Sequence, residues 1–253
     1  MTVKELYLKM CERIPEELRE DWDNDGLMCC ADSSAEVSRV LVTLDVTEEI
    51  VDYAIQSGFD LIVSHHPLIF KPIKAVTDNG HVERKVIKLI SNGVAVFSFH
   101  TRADKVTGGV NDLLCDLIGI SDAVPFGEGF LGRVGQLDDE CTLDDFAYRL
   151  KELLGADTVR VSDGYNTVSR VAVCGGDGKS LVRDAIAAGA DTYVSGRIGY
   201  NVMEEAQEMG INLVEAGHYF TEQPVTGFFY EILRDADPSL EIETTSSNTI
   251  RSF

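Results

Sequence analysis

Four of the chain's five histidines stand in three short polar clusters, each following an apolar, β-branched run. His65 and His66 interrupt DLIVSHHPLIF, His100 opens HTRAD after VAVFSF, and His218 opens HYFTE after INLVEAG. On a regular strand adjacent side chains point to opposite faces, so His65 and His66 would diverge if the strand ran on through them. Pro67 ends the ladder and biases His66 toward an extended backbone, which permits a twist that turns both rings to one cleft. One metal ion seldom takes two sequence-adjacent ligands, whereas two neighbouring ions can take one imidazole each. His218 and Glu222, at i, i+4 spacing, share a helical face, and a carboxylate such as Glu222 can bridge two ions. Asp104 adds a terminal carboxylate. Three neutral imidazoles (His65, His66, His218) and two carboxylates (Asp104, Glu222) against two divalent cations leave positive charge uncompensated, which favours a bound hydroxide or an anionic substrate. With no thiolate in the set, the ions would be zinc, iron, manganese, cobalt or nickel, and the sequence does not choose among them. His100 reads as a further ligand, an orienting group or a proton carrier. Taken singly, each feature has a commoner structural explanation: a hydrogen-bonded histidine at a strand end, a surface His/Glu pair, turn and cap residues at Thr101 and Asp104. Their joint placement after three strands is what favours the metal.

The elements that must position these groups alternate along the chain. RVLVTLDV reads as a strand, Thr47 caps the helix EEIVDYAIQSG that Gly58 stops, DLIVS is the next strand, VERKVIKLISNG a helix closed by Gly93, and VAVFSF a strand. After the helix GGVNDLLCDLIGI, the stretch SDAVPFGEGF breaks the pattern with Pro125, Gly127 and Gly129, and a domain boundary is expected there. The alternation then resumes and closes with the helix TEQPVTGFFYEILRD and a polar C-terminal strand in LEIETTSS. The fold class is α/β, with two α/β domains whose mixed sheets are flanked by helices. Residues 1–125 with 217–253 are expected to carry the metal site, and 126–216 to form an inserted second domain.

Composition bounds the partners. The 253 residues, 44% of them hydrophobic, suffice for a substantial core, and the net charge of −21 opposes binding to nucleic acid or an anionic membrane. There is no apolar stretch long enough to span a bilayer, and the charged, amphipathic N-terminus is unlike a signal peptide, so a cytoplasmic location is expected. The six scattered cysteines form no C-x-x-C pair and read as reduced, small apolar residues. CGGDGKS ends like a phosphate-binding loop but has Val173 where the motif needs its first glycine, so it reads as a glycine-rich turn into a helix. The single tryptophan, Trp22, sits in the acidic loop DWDND, which reads as a loop packed beside the cleft rather than as a calcium loop, whose spacing it lacks.

Taken in order, WDNDGL, LDVTEEIVDYAI, DLIVSHHPLIF, FHTRADKVTGGVND and AGHYFTE resemble the NIF-three-like family, whose members are described as dinuclear-metal-centre, hexameric proteins and are often labelled GTP cyclohydrolase I type II homologues. The resemblance covers essentially the whole chain. It implies a two-domain α/β protomer, assembly into a toroidal homohexamer built as a trimer of dimers, and two metal ions per subunit held by His65, His66, Asp104, His218 and Glu222. In the stretch SGRIGYN many relatives carry an acidic residue and a histidine, where Arg197 and Asn201 stand here; Arg197 is a candidate contact for an anionic substrate. The expected activity is metal-dependent hydrolysis of a small anionic or nucleotide-like molecule, with His100 or Glu222 handling protons. The alternatives are a metal-handling or scaffold assembly without turnover and an acidic adaptor, since no nucleophile motif stands beside the metal set.

Overall fold

The first helix starts where local chemistry says it should. The Thr2 hydroxyl accepts from the Glu5 amide at 3.2 Å, and the Glu5 carboxylate accepts from the Thr2 amide at 2.9 Å, a reciprocal cap that satisfies two otherwise orphaned donors. The computed structural model describes residues 1–252. In chain order the elements are α1 (Val3–Arg13), β1 (Gly26–Cys29), β2 (Arg39–Thr43), α2 (Glu48–Gln56), β3 (Leu61–Ser64), α3 (His81–Ser91), β4 (Ala95–Ser98), α4 (Thr101–Lys105) and α5 (Val110–Ile118). There follow β5 (Ile120–Phe126), β6 (Gly132–Cys141), α6 (Leu143–Leu154), β7 (Arg160–Ser162), β8 (Val168–Asp177), α7 (Val182–Ala187), β9 (Thr192–Arg197), α8 (Tyr200–Glu204) and α9 (Ala206–Met209). The last are β10 (Asn212–Glu215), α10 (His218–Glu222), α11 (Val225–Ala236) and β11 (Glu241–Thr244).

Two compact units result. The first holds Met1–Val106 and Val225–Asn248, and Thr107–Pro224 make the body of the second. In the first unit a five-stranded sheet runs β1-β4-β3-β2-β11, with β1 antiparallel to β4 and the remaining neighbours parallel. β3 lies at its centre, and all four of its residues are buried, which is why its sequence is a continuous apolar run rather than an alternating one. Leu41, Ile62 and Val96 from adjacent strands pack with Ile50, Val51 and Ala54 of α2 and with Leu89 of α3. Because β3 and β4 are parallel, their carboxyl ends fall at the same sheet edge, where open α/β sheets bind ligands.

The second unit is built on a six-stranded sheet in the order β5-β6-β8-β9-β10-β7, in which β8, β9 and β10 are parallel. Both faces are covered, as the period-two split of the strands shows. Val171, Val173, Val194 and Val214 pack with α5 and α6, whereas Ala172, Cys174, Tyr193 and Leu213 pack with α7, α8 and α9.

Three differences from the sequence reading have physical causes. SDAVPFGEGF is not a break: residues up to Phe126 form β5, antiparallel to β6. An edge strand tolerates Pro125, and the irregularity between Ser121 and Val124, with Asp122 at φ 51°, is a register shift that hides the strand's period. The units meet in sequence at Val106/Thr107 and Pro224/Val225 rather than at 125/126 and 216/217, because Leu114, Cys115, Ile118 and Ile120 bury their side chains in the core of the six-stranded sheet. The helix expected after His218 is two helices, α10 and α11, interrupted at Pro224, whose missing N–H cannot continue the first. All six cysteines are free thiols. Among the described residues no helix is long and apolar enough to cross a membrane.

Candidate metal centre

β3 stops at Ser64, whose hydroxyl meets Ser98 Oγ across the ladder at 2.9 Å and donates to the His66 carbonyl at 2.9 Å. The two histidines that follow are aimed by what their Nδ1 atoms bond. His65 is fully buried, and its Nδ1 lies 2.9 Å from the Phe99 carbonyl oxygen. A carbonyl can only accept, so Nδ1 carries the proton and Nε2 presents a lone pair. His66 Nδ1 donates to Asp45 Oδ1 at 2.7 Å, and His100 Nδ1 donates to Asp23 Oδ1 at 2.8 Å. All three rings are thereby fixed in the tautomer whose Nε2 can bind a cation, the arrangement in which metal-binding histidines are held by an oxygen acceptor behind them. Ring centroids are 4.9 Å apart for His65 and His66, 5.3 Å for His65 and His100, and 5.7 Å for His66 and His100. One ligand-capable nitrogen from each falls within 4.8 Å of the others. Asp104, one helical turn into α4, brings Oδ1 to 3.6 Å from His65 Nε2. A carboxylate oxygen facing an imidazole lone pair is two acceptors face to face, a pairing that a shared cation relieves. The donor set therefore fits a metal.

The acidic loop has a structural task that its composition did not disclose. Asp23 accepts from His100 Nδ1 with one oxygen and, with the other, from the Thr101 amide and hydroxyl at 3.0 and 2.7 Å. Burial pushes the Asp23 carboxyl up, but the His100 hydrogen bond and charge and the Thr101 donors outweigh it and hold it at about 2. Burial pushes His100 down, yet its hydrogen bond to Asp23 and the charges of Asp104 and Asp23 leave it raised overall. Asp25 Oδ2 accepts from the His100 amide and from Arg102 Nε, both at 3.0 Å. Asp45 is held in turn by Ser247, whose hydroxyl donates to its second oxygen at 3.0 Å. Sequence reasoning placed Asp23 and Asp25 in an acidic loop beside the cleft without giving either a role, and passed over Asp45 and Arg102. Asp45 had a signal, since it follows a strand end as the histidines do; Asp23 and Asp25 had only their alternation in DWDND.

The third cluster belongs to the second unit, after β10. His218 begins α10 and Glu222 ends it, with His218 Nε2 2.9 Å from Glu222 Oε2 and the carboxylate almost fully buried. Two ligands of one ion, each about 2.1 Å from it and at right angles, lie about 3 Å apart, so this pair also has the spacing of a chelate. The glycines of CGGDGKS make room for it. Gly176 adopts φ +66°, and a Cβ there would run into the Glu222 carboxylate. Gly196 on β9 likewise lies against Thr221 and His218. The glycine-rich turn into a helix is thus present as read, leading to α7, and it seats α10. Gly176→Ala is expected to cost roughly 1–3 kcal/mol, from the left-handed backbone and the overpacked carboxylate. Urea denaturation checks this, and an unshifted midpoint would show that α10 moves aside freely. Arg197, at the end of β9, is exposed and lies 4.0 Å from Asp177, and Asn201 is exposed on α8.

The model of the Duf34/NIF3 (NGG1p interacting factor 3) family matches residues 1–252. The chain belongs to the DUF34/NIF3 family. A DUF34/NIF3 relative from Lactococcus lactis, described as a GTP cyclohydrolase 1 type 2 homolog, is 35% identical over 248 residues, covering 96% of this chain and 94% of its own. A protein of the same description from Clostridium perfringens is 35% identical and is covered over 83% of both chains. Among solved structures, SA1388 from Staphylococcus aureus superposes with a TM-score of 0.89 at 25% identity, over 100% of this chain and 99% of that one. Within DUF34/NIF3 the fold is therefore that of the family's solved members, two mixed sheets flanked by helices.

Proposed function

We propose that the chain holds two divalent metal ions, with His65, His66, Asp104, His218 and Glu222 as ligands, and hydrolyses a small anionic or nucleotide-like substrate. GTP hydrolysis of the cyclohydrolase type is the first reaction to test, because the curated relatives carry that description. The observation that carries the reading is the shared Nδ1 anchoring of His65, His66 and His100, which presents Nε2 of the first two as metal ligands and that of His100 beside them. Bound divalent ions would supply Lewis acidity and a more acidic water. His100, oriented by Asp23, and Glu222, held beside His218, are the residues to move protons. A cytoplasmic location agrees with six reduced thiols, and the family resemblance supports a homohexameric ring, a trimer of dimers. Sedimentation should then give six times the 27.8 kDa protomer, and a stable monomer would refute the ring.

The deciding experiment couples elemental analysis of the purified protein to a screen of nucleotides, phosphoesters and pterin precursors, with Glu222→Ala as the blank. Metal at two ions per chain with metal-dependent turnover lost in Glu222→Ala is the expected result. Metal without turnover of any probe would favour metal handling or a scaffold role, and equal metal in parent and blank would remove the dinuclear site.

A further inference from the structure

Trp22 is the chain's only tryptophan, and it is 60% exposed. Phe70, which closes DLIVSHHPLIF, is 45% exposed. Large exposed aromatics are informative where they gather, and these gather around a histidine of the candidate centre. The ring centroids of Trp22 and Phe70 are 6.3 Å apart, Trp22 and His100 6.2 Å, and Phe70 and His100 6.0 Å, all edge to face.

The arrangement is built, not incidental to a loose loop. Asp23, next to Trp22, is fixed by His100 and Thr101. The Asn24 side-chain amide donates to the Ile69 carbonyl, stapling the Trp22 turn to the residue before Phe70. Two part-exposed aromatic rings are thus held against the His100 imidazole, whose Nδ1 is bonded to Asp23. An edge-to-face contact covers the edge of one ring and only one face of the other, so rings as exposed as these keep a further face on which a planar ring can stack. Lys71 and Lys74 are exposed just past Phe70, which places cationic side chains in that segment of an otherwise acidic protein.

We propose that Trp22 and Phe70 form a stacking platform for the planar heteroaromatic ring of a purine nucleotide, placing it next to His100. This rests on the metal-dependent reading above and names its substrate class. Stacking tolerates any base with a π face, so guanine and adenine nucleotides should both bind, the anionic phosphates drawing on the lysines.

The single tryptophan makes the platform its own reporter. In the full chain, prepared both metal-loaded and metal-free, GTP and ATP should quench Trp22 fluorescence saturably, while ribose 5-phosphate and inorganic phosphate should not. Phe70→Ala should weaken GTP binding about five- to a hundred-fold with unchanged metal content, and Trp22→Phe, followed by calorimetry, should stay within a few-fold of the parent. No quenching in either preparation would overturn the proposal, as would GTP binding to Phe70→Ala as tight as the parent's, or ribose 5-phosphate binding as tight as GTP. Failure of the metal reading would show separately, as a chain that takes up no metal yet still reports stacking.

Discussion

Replacing Arg102 with alanine is expected to lower the unfolding free energy by roughly 3–5 kcal/mol, the cost of leaving a buried charge without its partner. Arg102 and Asp25 are both fully buried at their side chains, with Nε donating to Asp25 Oδ2 at 3.0 Å. The guanidinium also donates to the Ile14 carbonyl at 3.2 Å and lies 4.6 Å over the Phe99 ring, so little of it is replaceable by water. Burial raises the Asp25 carboxyl above its ordinary value even with Arg102 opposing it. A carboxyl raised in the folded state contributes stability below its unfolded pKa and loses it as pH rises through the folded one. Without Arg102 that rise is larger, so the deficit of Arg102→Ala should widen as the pH climbs from acid toward neutrality. Arg102→Lys keeps the charge but not the fork and should fall between parent and alanine. Denaturant titrations at several pH values read all three, and a loss under about 1 kcal/mol for Arg102→Ala would mean that the pair is effectively solvated.

The residue matters beyond stability because Asp25 also accepts from the His100 amide. That link explains how far the sequence could be read. The strands, the helices that follow them and the placement of histidines after strand ends were legible, because periodicity, caps and the apolar run of β3 are local signals. β5 was not, since Pro125 and the shift near Asp122 mask an edge strand that is recognisable only by its pairing with β6. The candidate ligands were legible as residue types, but their aiming was not: Pro67 was expected to turn the rings, whereas the acceptors behind Nδ1 are Phe99, Asp45 and Asp23. Asp23 is 77 residues from His100, and Asp45 is 21 from His66. Such partners are chosen by strand order, which no short motif records.

On the proposed two-ion centre, His66→Ala is expected to lower bound metal from two ions toward one per chain. His66 and His65 are adjacent in sequence, yet their Nδ1 anchors differ, a carboxylate for His66 and a main-chain carbonyl for His65. A carboxylate anchor raises the basicity of the ring it holds, so its removal should be felt at Nε2 without removing the ligand itself. Asp45→Ala should therefore weaken metal affinity by about 10- to 100-fold while leaving stoichiometry intact at saturating metal. Ser247→Ala, one bond further out, should weaken it less, because Asp45 keeps its bond to His66. Competitive metal titration with elemental analysis separates these outcomes. The order His66, Asp45, Ser247 in falling effect is what a ligand, its anchor and the anchor's support would give. Equal, small effects at all three would instead identify the row as ordinary packing at a strand end, with the imidazoles serving the fold alone.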